Sequence, residues 1–129
     1  MSELRLISLA DLIETEEYDA DEASRLAKKI LLEKFWTVPI VIEINTNAIM
    51  DGHHRYNAAK IIGLSRIPCI KKDYASNEVT LLSWKQSGKV TVEDVFKKIE
   101  KKKKFPIKTT RHIFSPPINE INIPIDLLY

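Results

Sequence analysis

A chain of 129 residues with 44% hydrophobic side chains can build one packed core of ordinary size and a small appendage, so a single domain is expected. Its 20 basic and 18 acidic side chains leave a formal net charge of +2, which excludes the global basicity of a protein that coats nucleic acid. The lone Cys69 excludes an internal disulfide, and no apolar run approaches the roughly 18 residues of a membrane span. With no signal-peptide pattern at the amino end, a cytoplasmic protein is expected. Gln occurs once, at Gln86, while Lys, Glu and Ile are plentiful, a bias found in proteins from hot environments.

The elements alternate along the chain. Leu4 to Leu9 reads as a short strand running into a turn that Ser8 or Asp11 would cap, and an acidic patch follows from Glu14 to Asp19. Between Asp21 and Glu33, Ala23, Leu26, Ala27, Ile30 and Leu31 recur at spacings of three and four, predicting an amphipathic helix capped by Asp19 or Asp21. Pro39 to Ile44 is rich in β-branched residues, Asn45-Thr46-Asn47 is turn chemistry, and Ala48-Ile49-Met50 completes a hairpin. A second helix from Tyr56 ends at Gly63, and Ile67-Pro68-Cys69-Ile70 predicts a short strand that starts or edges a sheet, because proline donates no ladder bond.

The second half is punctuated more heavily. Glu78 to Trp84 reads as a strand broken at Ser87-Gly88, and Thr91-Val92-Glu93-Asp94 opens a helix whose stripe is Val92, Val95, Phe96 and Ile99. Lys101 to Lys104 would form its solvated end. Pro106, Pro116, Pro117 and Pro124 prevent the tail from being one regular element, yet its apolar content predicts packing against the core. Cys69, within an apolar strand, is expected to be buried and inert. The expected fold is α+β, a small mixed sheet with flanking helices.

Chemistry concentrates at Asp51-Gly52-His53-His54-Arg55, where a strand gives way to a helix. Such a junction presents unpaired backbone N–H groups at the positive end of the helix dipole, which suits phosphate. An Asp-Gly before a helix also serves as a plain turn, and an acidic patch is more often a solvated surface than a catalytic base.

The order of elements, together with Met50 to Tyr56, Ala58-Ala59, Gly63-Leu64 and Ile67-Pro68, resembles the ParB/sulfiredoxin-like fold over residues 4–74. The double-His motif is similar to that of free L-serine kinases, archaeal enzymes and a staphylococcal relative of siderophore synthesis, and the region of Trp84 and Lys108 to His112 also resembles kinase segments. Sulfiredoxins carry a motif cysteine that is missing here, and chromosome-partitioning ParB proteins continue into helix-turn-helix domains for which the chain is too short.

The resemblance implies a kinase that moves the terminal phosphoryl group of ATP or ADP, ATP being favoured, to free L-serine, giving O-phospho-L-serine for cysteine biosynthesis. It implies one domain over 1–129, with 75–129 completing the acceptor site. Gly52, His53, His54 and Arg55 would bind the donor phosphates, one histidine reaching a phosphoryl oxygen and the other orienting a neighbour. Asp51 would cap the helix, hold Mg2+, or bind the acceptor hydroxyl. Glu16 corresponds to the family's catalytic glutamate, with Glu17 as alternative; the family's usual preceding His is Thr15 here. Trp84, Thr110, Arg111 and His112 would bind serine. Partners would be serine and nucleotide, with neither nucleic acid nor membrane. The rival class is a ParB-like module that binds nucleotide, and through it DNA, without turnover.

Overall fold

The computed structural model describes residues 3–84 and 88–129; the break expected at Ser87 lies outside the described residues. In chain order the elements are β1 (Leu4–Ser8), α1 (Ala20–Glu33), β2 (Phe35–Trp36), β3 (Ile40–Glu43), β4 (Ile49–Asp51), α2 (His53–Ile62), β5 (Arg66–Lys72), β6 (Val79–Ser83), α3 (Val92–Lys101), β7 (Thr110–Phe114) and β8 (Ile123–Pro124). Single 3-10 turns lie at Leu9–Asp11 and Ile125–Leu127.

A four-stranded mixed sheet has the order β1-β5-β3-β4, antiparallel except for the parallel β5–β3 pair. The β3–β4 hairpin is closed by Glu43, whose Oε1 accepts from the backbone N–H of Asn45 and Thr46 and from the Thr46 hydroxyl. This pins the register that delivers Asp51 to the start of α2. α1 and α2 pack against each other, and Trp36, Ile40, Ile42, Ile49, Tyr56, Ile67 and Leu128 form one buried cluster. Deep burial of these aliphatic and aromatic side chains is the main favourable term of folding, worth about 1.5–3 kcal/mol for each fully buried large apolar side chain.

Helix starts follow side-chain chemistry. Asp19 caps α1 by accepting from the N–H of Asp21 and Glu22, while Thr91 and Asp94 form a reciprocal capping box on α3. Ser8, by contrast, makes no side-chain cap bond to its 3-10 turn. The tail packs as expected: β8 pairs with β2, and Ile125 and Leu128 are buried.

One expectation needs correction, and one strand was not foreseen. Residues 67–70 belong to a longer strand, β5, that lies centrally in the sheet; Pro68 is accommodated because it precedes the ladder to β3, which starts at Cys69. Residues 110–114, lacking a clear two-residue alternation in sequence, form β7 by pairing along all of β6. Among the described residues no helix is long and apolar enough to cross a membrane.

Candidate active site

An open cleft of about 820 Å³ runs between the N-terminus of α2 and the β6–β7 ribbon, a size typical of small-molecule sites. Its walls include Glu16, Asp51, Gly52, His53, His54, Arg55, Trp84, Thr110, Arg111 and His112, so the first-choice residues for a site role all line one cavity. Glu17, the alternative to Glu16, is exposed and is not among the residues lining the cleft.

The donor side is built by backbone geometry. Gly52 is the N-cap of α2 at φ +112, a left-handed conformation, and no side chain caps this end. Asp51 therefore does not act as the cap; its Oδ2 lies 3.4 Å from Arg55 Nη2. A Cβ on Gly52 would fall 2.7 Å from Ile40 Cδ1 and 3.1 Å from Arg55 Nη2, so glycine both permits the turn and lets the guanidinium close over it. Burial works against the Arg55 charge and Asp51 works for it.

Both histidines face the acidic patch. His53 Nε2 accepts from the Thr15 backbone N–H at 3.1 Å, and His54 Nε2 accepts from the Asp19 backbone N–H at 3.0 Å. An N–H can only donate, so each Nε2 is unprotonated in these bonds. Glu22 Oε2 lies 3.4 Å from His54 Nε2, a contact that becomes an ion pair only if the ring takes a proton and surrenders Asp19. His53 is 5% exposed, and burial, helped by His54, pulls its pKa down to about 3.

Glu16 is gripped from the other wall. Its Oε1 accepts from the backbone N–H of Thr109 at 3.0 Å and Thr110 at 2.8 Å, and from the Thr110 hydroxyl at 3.0 Å. None of these bonds falls on Oε2. The two successive N–H groups converge because Lys108 takes a left-handed φ of +55, making a small anion-binding nest. Thr110, expected to hold serine, thus spends its hydroxyl on Glu16. The Glu16 backbone is fixed as well: Phe105 donates to the Thr15 carbonyl and Glu17 to the Phe105 carbonyl, each at 2.8 Å.

On the ribbon, the Arg111 guanidinium stacks 4.7 Å from the centre of the Trp84 ring, which is 56% exposed. His112 is hydrogen-bonded to the Tyr74 hydroxyl at 2.7 Å and stacks on Phe114; burial draws its pKa down to about 4. Burial likewise raises the Tyr74 pKa. Cys69 is fully buried, its thiol pushed up to about 12, as expected of an inert residue. Lys108 and Glu22 also line the cleft, although neither is assigned a role from its residue type and spacing. Lysine has no turn preference to announce a left-handed backbone, and Glu22 enters only because α1 crosses beside α2.

No family model matches the chain. It is 37% identical over 83 residues to an ATP-dependent L-serine kinase of Desulfurococcus mucosus, covering 61% of this chain and 32% of that protein. It is 27% identical over 70 residues to the ADP-dependent L-serine kinase SerK of Thermococcus kodakarensis, covering 52% and 29%. The chain therefore spans about a third of the length of these curated relatives. A solved structure of a free serine kinase variant in complex with ADP superposes with a TM-score of 0.86 at 13% identity, over 98% of this chain and 94% of that one. The chain thus has the fold of the free serine kinases and is similar in sequence to proteins named as L-serine kinases.

Proposed function

We propose that the protein is a free L-serine kinase that transfers the terminal phosphoryl group of ATP, or of ADP, to the serine hydroxyl. The observation that carries this reading is a carboxylate, Glu16, held by one oxygen across a single cleft from an uncapped helix N-terminus. The serine Oγ attacks the terminal phosphorus, its proton passes to Glu16, and the bond from phosphorus to the bridging oxygen breaks, releasing O-phospho-L-serine and the shortened nucleotide. Oε2 is the oxygen for this task, since three hydrogen bonds already occupy Oε1. The N–H groups of the first turn of α2 and the Arg55 guanidinium offset charge on the donor phosphates. Arg111, on the Trp84 face, binds the carboxylate of the amino acid, and His112 shapes the wall behind it.

The residues present fit Mg2+. Asp51 offers a carboxylate that is 56% exposed beside the phosphate seat, and Mg2+ is usually held by one or two carboxylates together with substrate phosphates. Asp51 would hold it, and the bound ion would neutralise phosphate charge. We place residues 75–129 in the same domain, as the acceptor side, and the reaction in the cytoplasm as a supply of phosphoserine for cysteine biosynthesis.

Phosphorus NMR of the protein with Mg2+ and L-serine, in separate tubes with ATP and ADP, tests this reading. A new phosphomonoester signal is expected, and Glu16→Ala should abolish it while leaving nucleotide affinity within about twofold. Nucleotide binding with no phosphoserine in either tube would favour the ParB-like module instead.

A further inference from the structure

A phosphate oxygen accepts hydrogen bonds, so a histidine that serves it must present an N–H. His53 Nε2 instead receives one, from the Thr15 backbone 3.1 Å away, which leaves the neutral ring's single proton on Nδ1, and the ring is almost wholly buried. The Thr15 hydroxyl donates to the Ile49 carbonyl at 3.2 Å, so it has no proton left for Nε2, although the two atoms lie 3.4 Å apart. The His53 backbone is itself fixed, since Asn57 Nδ2 donates to its carbonyl at 2.8 Å. One residue further along the loop, Glu16 points into the Thr109–Thr110 nest.

We propose that His53 is a positioning residue: its unprotonated Nε2 ties the Thr15 amide to the first turn of α2 and thereby sets the place of the Glu16 carboxylate relative to the phosphate seat. The inference rests on the kinase reading for its catalytic consequence, but the tie itself is independent of it. Successive residues of an extended segment point to opposite sides, so Thr15 anchors to β4 and α2 while Glu16 faces the cleft. Loss of the anchor leaves Thr15 tied to β4 through its hydroxyl and to Phe105 through its carbonyl, but no longer to α2. The carboxylate then no longer keeps a fixed distance from the α2 N-terminus, and small misplacements of a reacting group cost large factors in rate. The ring supplies an acceptor, not charge, which burial is consistent with: it keeps the imidazole neutral far below neutral pH. Glutamine can place an amide oxygen near the position of Nε2 and is the conservative replacement.

Three variants and one spectrum test this. In the parent protein, nitrogen-15 NMR should show His53 Nε2 unprotonated and the Thr15 amide strongly protected from exchange, with and without ADP. A protonated Nε2, or a freely exchanging Thr15 amide, would overturn the tie regardless of any activity. His53→Leu should lower kcat on serine by about 30-fold or more with nucleotide Kd changed less than threefold, and Thr15→Pro, which removes the N–H, should do the same. His53→Gln should recover most of the lost kcat. If His53→Leu weakens nucleotide binding as much as it lowers kcat, or Gln recovers nothing while folding normally, His53 is a phosphate contact or a mere filler. Absence of phosphoserine from the parent would defeat the kinase reading alone, leaving the spectrum to judge the tie.

Discussion

Gly52 shows how one position can serve turn, core and site together. Its φ of +112 is strained for any L side chain, and the space where a Cβ would go is claimed by Ile40, a residue with no exposure that cannot swing away. Gly52→Ala is expected to cost about 2 kcal/mol or more of stability, from backbone strain of about 1–3 kcal/mol with overpacking added, read as a lower urea midpoint with unchanged slope. The same Cβ would press on Arg55, so nucleotide affinity should fall as well. This residue was legible in sequence because Asp-Gly before a helical pattern implies a turn. The direction of the histidine rings was not, since a histidine in a first helical turn can face a ligand or a neighbouring loop, and only packing decides.

Among the helices, α2 differs at its start. α1 and α3 satisfy their first N–H groups with Asp19 and with the Thr91–Asp94 box, whereas α2 begins on a glycine with nothing to offer. The uncapped end costs helix stability and leaves donors for a ligand. The β6–β7 ribbon supplies the opposite wall, with Ser83 opposite Thr110 and Leu82 opposite Arg111. Arg111→Ala should raise the serine KM by about tenfold or more, consistent with loss of a charged hydrogen bond of about 1.5–3 kcal/mol, and leave the nucleotide KM nearly unchanged. Equal effects on both, measured by coupled steady-state assay, would remove Arg111 from the acceptor side. Helical spacing and the β-branched hairpin made α1, β3, β4 and α2 readable. β2, β7 and β8 were hidden because each is short, or proline-flanked, and gains its pairing from partners distant in sequence.

Over the whole molecule, two histidines are folded in as neutral groups, His53 and His112, with pKa values drawn down to about 3 and about 4 by burial. The unfolded chain binds protons at these sites near the ordinary value of about 6.5, while the folded chain refuses them until much lower pH. Stability should be flat above about pH 6.5 and fall as pH drops below it, by on the order of 2 kcal/mol per histidine between pH 7.5 and 5. Urea unfolding at several pH values would show this, and His112→Phe should flatten the curve by about half.

The four-stranded sheet and the β6–β7 ribbon share no ladder. Asp51 ends a strand of the first and leads into Gly52 and Arg55 at the start of α2, whereas Trp84, Thr110 and Arg111 belong to the second or its margin. On the kinase reading, substitutions along the ribbon away from Thr110 would retool which small molecule is modified, while the energy currency is inherited untouched.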